Sequence, residues 1–193
     1  MSMPVKEQDK KVDPRVKRTR KLLEQAFMEL MYEKGFQSIT IQDVTERATV
    51  NRATFYAHFE DKYDLLDSFI REQFVEWLSQ KAPISSEFDS EHLRQLVVTV
   101  FEFLADIHQH CSTADRQIEP MFETAVQDEL NEYLLAWFNR LPPGLVPPDI
   151  QPTIGTLVWS WAIFGAGIHW ARHAKSLSAD EMAAQVTAIL LHQ

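Results

Sequence analysis

Residues 51–62 carry side chains whose types and spacing suit contacts with a nucleic-acid duplex. Arg52 has a planar guanidinium, which can bind a guanine edge or a phosphate. Tyr56 follows one helical turn later, so its hydroxyl would face the same side and reach a phosphate. Ala53 and Thr54 are small enough for close approach, and either could contact a thymine methyl group. The pattern predicts a helix that enters the major groove of DNA.

Three further residues of this segment could contact DNA, and some of them have a possible structural role instead. His58 and Lys62 would face the DNA backbone, and Lys62 is the more dependable phosphate partner. Asn51 could cap the helix or contact a base, and capping is the favoured role. The tyrosine and the histidine could instead be partly buried between neighbouring helices.

A second short helix before a tight turn would position these side chains. Thr40 and Asp43 have the spacing of a capping box, in which the hydroxyl accepts from the third amide of the helix. Thr40 and Gln42 would also donate to phosphate beside the helix amides. We expect helices over about 41–48 and 52–59, which is the arrangement of a helix-turn-helix.

The rest of the chain follows helical periodicity, with little of the alternation typical of strands. We expect a first helix that is capped by Asp13 and ends at Gly35, a left-handed stop. A long helix begins near Asp61, and later helices are predicted over about 90–109, 118–140, 150–173 and from Ser178 onwards. Turn-rich breaks are expected at 81–87 and 142–149, with a short element over 112–117. The sequence therefore predicts an all-α protein.

The charge is unevenly distributed. Residues 1–62 contain 12 Lys and Arg against 10 Asp and Glu, whereas residues 63–193 contain 7 against 18, which together give the net charge of −9. The basic excess is largest in residues 1–23, with 8 against 3. This asymmetry suits a protein that touches phosphates at one end, although a solvated basic tail would give the same pattern.

Composition also bears on the cellular compartment. Cys111 is the only cysteine, which excludes an intrachain disulfide and favours a reducing cytoplasm. No secretory signal is evident. The 22 residues between Asp149 and Arg172 lack Asp, Glu, Lys and Arg and approach the length of a membrane span. Because Ser160 and His169 interrupt this segment, we favour a helix buried on most sides within the protein, and no membrane.

Residues for catalysis or for a cofactor are not evident. The chain has five glycines and neither GxGxxG nor GxSxG, so we expect no enzyme and no cofactor. His169 and His173 are spaced i, i+4, and His108 and His110 lie beside Cys111, which are spacings that metal ligands use. No carboxylate completes either group, and we expect no metal.

Residues 35–66 resemble the N-terminal signature of TetR/AcrR-type transcriptional regulators. Their sequence is GFQSITIQDVTERATVNRATFYAHFEDKYDLL. The matching positions are Gly35, Thr40, Asp43, Val44, Ala48, Val50, Arg52, Thr54, Phe55, Tyr56, His58, Phe59, Lys62, Leu65 and Leu66. One departure is Thr49, where the family usually has a glycine. Because threonine disfavours a positive φ, we expect a distorted turn or another backbone geometry there.

This resemblance implies an N-terminal three-helix, homeodomain-like domain over residues 1–62 and a helical domain for ligand binding and dimerisation over 63–193. The protein would be a homodimer that represses transcription at a palindromic double-stranded DNA operator. A small, hydrophobic effector would release it. Two alternatives remain: an activator with the same fold, and a helical interaction module that does not bind DNA.

The resemblance also implies a four-helix dimer interface formed by the last two helices of each subunit. The expected interface residues are Ile154, Val158, Ala162, Gly165, Ala166, Met182, Val186 and Ile189. An ordinary core helix within one chain is the alternative.

Aromatic and flexible apolar residues suit a pocket for a hydrophobic ligand. The expected lining residues are Phe101, Met121, Phe122, Trp137, Trp159 and Trp161. Core packing explains most of them equally well.

Overall fold

The computed structural model describes residues 13–84, 89–110, 117–140, 151–173 and 177–191. Within these ranges the secondary structure is entirely helical, which confirms the expected all-α class. The α-helices are α1 (Pro14–Lys34), α2 (Ile41–Arg47), α3 (Arg52–Tyr56), α4 (Lys62–Lys81), α5 (Ser90–His110), α6 (Glu119–Phe138), α7 (Pro152–Arg172) and α8 (Ala179–Leu191). A short 3₁₀ turn at Phe36–Ser38 follows α1.

The described residues divide into two compact units, and the boundary between Leu65 and Leu66 lies within α4. It falls three residues after the boundary expected from the sequence. The first unit, residues 13–65 as described, comprises α1 to α3 and the first turn of α4. Its core is formed by side chains that are almost completely buried: Leu23, Phe27, Leu30, Phe36, Ile39, Val44, Phe55 and Phe59.

Local capping explains where α1 begins and ends. Asp13 accepts a hydrogen bond from the Arg15 amide at 2.8 Å, and Pro14 occupies the first turn, as expected. Gly35 ends the helix with a φ of 71° and a ψ of 159°. The positive φ favours glycine. Helix α1 therefore ends at Gly35 with the expected left-handed φ, and the extended ψ directs the chain into the 3₁₀ turn.

The second unit, residues 66–191 as described, is built around α5. This helix packs against both α7 and α8, and α6 packs against α7. The Arg71 guanidinium of α4 joins α4 to α6, with nitrogens 3.0 Å from Asp128 and 3.2 Å from Glu129. Ser178 and Glu181 form the expected capping box at the start of α8.

The expected breaks between helices are only partly described. Helix α4 ends at Lys81, and residues 82–84 are not helical. Residues 112–116 of the short element expected over 112–117 lie outside the described residues, as does the break expected at 142–149. Among the described helices, none has the length and apolar character needed to cross a membrane.

Candidate nucleic-acid interface

The start of α2 is held by the expected capping box. The Thr40 hydroxyl accepts from the Asp43 amide at 3.2 Å, and the Thr40 amide donates to the Asp43 carboxylate at 2.7 Å. The Thr40 hydroxyl also donates to this carboxylate, and the Lys34 ammonium lies 2.8 Å away. Lys34 and then Thr40 hold the pKa of Asp43 well below its usual range. A phosphate contact from the Thr40 hydroxyl would therefore replace an existing hydrogen bond.

In the turn between α2 and α3, a threonine occupies the left-handed region of backbone conformation. Thr49 has a φ of 56°, and its amide donates to Glu46 O at 3.1 Å. The next amide, that of Val50, donates to Thr45 O at 3.0 Å. The expectation of a distorted or different turn is therefore wrong. The hydrogen bonds around Thr49 impose the conformation, at a steric cost of about 1–2 kcal/mol for a residue with a Cβ.

Asn51 caps α3, as favoured from the sequence. Its side-chain oxygen accepts from the Thr54 amide at 2.7 Å and from the Thr54 hydroxyl at 3.0 Å. Thr54 is half-buried, whereas Ala53 is exposed. The helix ends at Tyr56 rather than near residue 59. The His58 amide donates to Phe55 O, three residues earlier, and Phe59 packs into the core.

Arg52 and Tyr56 form one exposed surface on α3. The Arg52 guanidinium donates to the Tyr56 hydroxyl at 3.2 Å and lies 5.7 Å from the centre of its ring. Tyr56 is 49% exposed, so the alternative that its side chain is partly buried between helices is wrong. Gln42 on α2 is also exposed, and its side-chain amide donates to Glu46 at 2.8 Å. We name Gln42, Arg52, Ala53 and Tyr56 the recognition surface.

His58 lies beside this surface and is half-buried. Burial, and secondarily the charge of Arg20, lower the pKa of His58 from its ordinary value. The Arg20 guanidinium lies 4.7 Å from the ring of Phe59, next to His58 in the chain. Both effects favour the neutral imidazole, whereas a nearby phosphate would favour its charged form.

Lys62 does not fit the expected role of phosphate partner. Its ammonium donates to Ile39 O at 3.0 Å and to Phe36 O at 3.3 Å. It also lies 4.5 Å from the centre of the Phe36 ring and 5.8 Å from that of Tyr63. The ammonium thus binds carbonyl oxygens of the connection between α1 and α2. Lys62 positions the first turn of α4 on this connection.

An ion-pair network between α1 and α2 was not foreseen from the sequence. The Arg47 guanidinium lies 2.7 Å from Glu33 and 3.1 Å from Glu29. These bonds raise the pKa of Arg47, and the Arg47 hydrogen bond lowers that of Glu33. The spacing of the two glutamates, one turn apart on α1, was the available signal. The network pairs a basic side chain of the helix-turn-helix with two carboxylates of α1.

The residues expected at a dimer interface lie mainly on an exposed apolar face. On α7, Ile154, Ala162 and Gly165 are exposed and Val158 is 58% exposed, while on α8 Ile189 is 73% exposed. Two more of these residues, Ala166 and Met182, are half-buried. Val186 is buried within the unit, so its expected place at the interface is wrong.

The exposed face also corrects two interpretations of α7. Leu157 and Trp161 continue the apolar stripe, and Trp161 is 57% exposed. Helix α7 is therefore not buried on most sides, and it is not an ordinary core helix. The sequence could not show this, because both faces of α7 are apolar and only tertiary contacts distinguish them.

The residues expected to line a pocket do not come together. Phe101 and Trp137 are fully buried, Met121 and Trp159 are half-buried, and Trp161 lies on the exposed face of α7. Of the expected set, Phe122 alone lines the small cavity described in this unit, of about 30 Å³, whose other apolar walls are Leu104, Ile107, Ile168 and Ala171. Its polar lining residues are His108, Glu119, Glu123 and Arg172.

The histidine groups do not form a metal site in the described residues. The rings of His169 and His173 stack with centres 4.3 Å apart, and His173 Nδ1 lies 2.9 Å from His169 O. Across the described ranges no three His, Cys, Asp or Glu side chains are placed to hold an ion. Cys111 lies outside these ranges, as does the side chain of His110.

Residues 22–69, which include the recognition surface, match the family model of bacterial regulatory proteins, tetR family. The chain belongs to the TetR/AcrR family of transcriptional regulators. This TetR-family chain is 32% identical over 105 residues to the HTH-type transcriptional regulator YxbF of Bacillus subtilis. The match covers 53% of this chain but only 28% of that relative.

Two other proteins are similar over most of this chain. The HTH-type transcriptional repressor KstR2 of Mycobacterium tuberculosis is 25% identical over 172 residues, which cover 82% of this chain and 84% of KstR2. The structure of FadR of Thermus thermophilus, a TetR-family repressor in complex with lauroyl-CoA, has a TM-score of 0.52 and 21% identity. The structural alignment covers 89% of this chain and 93% of FadR. The structural likeness shows a shared fold.

Proposed function

We propose that this TetR-family regulator is a repressor that binds a palindromic operator as a homodimer and is released by a small effector. The observation that carries the proposal is the exposed recognition surface on two capped helices. The repressor names of KstR2 and FadR support the direction of regulation. Residues 1–62 would be the DNA-binding domain, and residues 63–193 the domain for effector binding and dimerisation.

The recognition surface suits direct reading of bases. Arg52 stands at the first turn of α3, where its guanidinium can bind both acceptors of a guanine edge. Ala53 and the methyl group of Thr54 suit contact with a thymine methyl. The Arg52–Tyr56 hydrogen bond places the guanidinium beside the phenol, so the two side chains can approach DNA together.

Phosphate contacts would surround these base contacts. Gln42, Tyr56 and His58 carry donors near the ends of α2 and α3, and Thr40 would exchange its bond to Asp43 for a phosphate. Asn51 acts as the cap that fixes the first turn of α3. These phosphate contacts would orient the protein on the duplex, whereas Arg52 would determine which base sequence it prefers.

The exposed stripe on α7 and α8 supports the proposal of a homodimer. Apolar side chains that lie together on a surface mark an interaction face. The pairing of this face with the same face of a second copy would relate two recognition surfaces by a two-fold axis. An operator that matches this symmetry is an inverted repeat of two half-sites.

The second unit would hold the effector. Its cavity has apolar walls of Leu104, Phe122 and Ile168, which suits a ligand with an apolar part. The complex of FadR with lauroyl-CoA supports the general proposal that a helical domain of this fold binds a small molecule.

Anisotropy titrations with a labelled duplex test the DNA-binding role. The duplex would be a genomic fragment on which footprinting shows protection by this protein. We expect Arg52→Ala to weaken binding by about 1–3 kcal/mol, as the loss of a bidentate base contact does. Arg140→Ala, an exposed arginine of the second unit, is the matched control and should bind like wild type. Equal affinity of the two variants would overturn the proposal.

In-vitro transcription from the same fragment separates repression from activation. We expect the wild-type protein to lower transcript yield and Arg52→Ala to restore it. A rise in transcript yield with wild-type protein would instead assign an activator. Failure to bind any duplex, with the circular dichroism of a folded helical protein, would favour the interaction module without DNA binding.

A further inference from the structure

The first two turns of α1 carry an exposed basic face. Lys21 follows Arg18 by three residues and Lys17 by four, so the three side chains project from one side of the helix. All three are exposed, whereas Leu23 and Phe27 on the other side are buried in the core of the first unit. We name Lys17, Arg18 and Lys21 the α1 basic face.

These three cations have no acidic partner among the residues that the structure describes. The chain has 28 Asp and Glu against 19 Lys and Arg, and several of its described arginines do bind carboxylates. The arginines that do so are Arg20, Arg47, Arg71, Arg94 and Arg172. The α1 basic face is therefore a patch of unpaired positive charge on a chain with an excess of acid.

Local electrostatics disfavour this arrangement. Like charges three or four residues apart repel each other on a helix surface, as Lys21 does with both Lys17 and Arg18. The nearby Glu24 does not offset this repulsion, because its carboxylate is bound to Arg20. Charges that weaken a fold without a compensating contact are expected at functional sites. Three neighbouring cations suit a partner with several negative charges.

Arg20 connects this end of α1 to the turns that follow α3. Its guanidinium lies 4.7 Å from the centre of the Phe59 ring, three residues after the end of α3. The same guanidinium binds Glu24, which is 7% exposed. Lys21 follows Arg20 directly and Lys17 precedes it by three residues. The α1 basic face therefore borders the part of the first unit that carries the recognition surface.

We propose that the α1 basic face binds the phosphate backbone of the same duplex whose bases α3 would read. The inference rests on the proposed function, since the recognition surface must hold that duplex. Lys17 and Lys21 are about 6 Å apart along the helix, and each DNA strand carries one phosphate per about 3.4 Å of its axis. The two ammonium groups are thus far enough apart to bind separate phosphates. Such contacts carry no base information, so they strengthen binding to every sequence alike.

Salt-dependent anisotropy titrations of the full chain test this surface. The variant Lys17→Gln, Arg18→Gln, Lys21→Gln is compared with wild type on two duplexes of equal length, the footprinted fragment and a scrambled version of it. We expect the variant to bind both duplexes about tenfold more weakly, with an unchanged ratio between them. The slope of log affinity against log salt should fall by at least about 1.8, one lost phosphate contact in each subunit.

Two controls separate phosphate contact from other causes. The charge-retaining variant Lys17→Arg, Arg18→Lys, Lys21→Arg should bind like wild type, and so should Arg140→Gln, which removes an exposed cation of the second unit. The melting temperature of the glutamine variant should stay equal or rise, because repulsion between like charges disappears. A lower melting temperature with an unchanged salt slope would show that these residues are structural and would refute the inference.

The two duplexes also separate this inference from the proposed function. An unchanged affinity and salt slope in the glutamine variant, or a loss confined to the footprinted fragment, would overturn the inference while wild type still preferred that fragment. Wild-type protein that bound the two duplexes equally would instead contradict sequence recognition by α3. Wild-type protein that bound neither would overturn both.

Discussion

At the start of α4, the Lys62 ammonium lies among the carbonyl oxygens of Phe36 and Ile39 and beside two aromatic rings. Each of these contacts is internal to the first unit. A lysine beside a recognition helix suggests a phosphate contact by its charge alone. The geometry instead gives Lys62 a positioning role, because it fixes α4 against the segment that leads into α2.

Lys62→Ala distinguishes these two roles. We expect a loss of about 1–2 kcal/mol in unfolding free energy, since hydrogen bonds from a charged donor disappear, and weaker DNA binding with an unchanged dependence on salt. A lysine that binds phosphate would lower the slope of log affinity against log salt by about 0.9. Denaturant unfolding and anisotropy at several salt concentrations measure both quantities. A smaller slope with unchanged stability would show a phosphate contact.

Thr49 is strained by the turn that it occupies. Its φ of 56° is in the left-handed region, where the Cβ crowds the backbone. We expect Thr49→Gly to raise the unfolding free energy by about 0.5–1 kcal/mol, since relief of the clash exceeds the entropy cost of glycine. Thr49→Asn should fall between the two, because asparagine tolerates this region better. Urea denaturation gives the unfolding free energies of wild type, Thr49→Gly and Thr49→Asn. A Thr49→Gly protein less stable than wild type would refute the proposed strain at Thr49.

At the scale of the element, α3 is too short to be stable alone. Arg52–Tyr56 is little more than one turn, and isolated helices of this length are unstable in water. Its stability comes from the Asn51 cap at one end and from the buried rings of Phe55 and Phe59. The recognition surface is therefore only as well ordered as these supports.

Two substitutions of Asn51 separate the cap from DNA contact. We expect Asn51→Ala to cost about 1 kcal/mol of stability through loss of the cap. Asn51→Asp should retain stability, because aspartate caps equally well, but lower DNA affinity by placing a negative charge near phosphate. Thermal unfolding and anisotropy on both variants give the result. If Asn51→Ala kept full stability and lost only affinity, a base contact would replace the capping role.

The elements that could be predicted from sequence are those fixed by near neighbours in the chain. Asp13 capping α1, the Thr40–Asp43 box and the Ser178–Glu181 box each depend on residues within three positions. The end of α3 and the partners of Lys62 depend on tertiary packing, which spacing does not encode. Similarly, aromatic type predicted a pocket, but Trp137 is in the core and Trp161 on the surface, since side-chain type alone does not give orientation.

At the scale of the whole molecule, we propose that the apolar face of α7 and α8 forms the dimer interface. Val158, Trp161 and Ile189 are large apolar side chains that water would contact in a monomer. Burial of such a face gains about 25 cal/mol per Å². We therefore expect two copies to pair through this face, which would bring two recognition surfaces to one duplex.

Val158→Glu tests the assembly. We expect it to shift the protein from dimer to monomer, because a charge in an apolar interface lacks a partner, and to lower DNA affinity by at least tenfold. Val75→Glu on α4 is the matched control, since that valine is also exposed but lies off the face. Sedimentation velocity gives the mass of each. A dimeric Val158→Glu protein, or a monomeric wild type, would exclude this interface.

Selection of bound sequences from random duplexes tests the central claim most directly, that α3 reads bases in symmetric pairs. We expect wild-type protein to enrich an inverted repeat, and Arg52→Ala to lose preference at one guanine position in each half-site while other positions persist. Enrichment of no motif by wild type, or of an identical motif by Arg52→Ala, would contradict it.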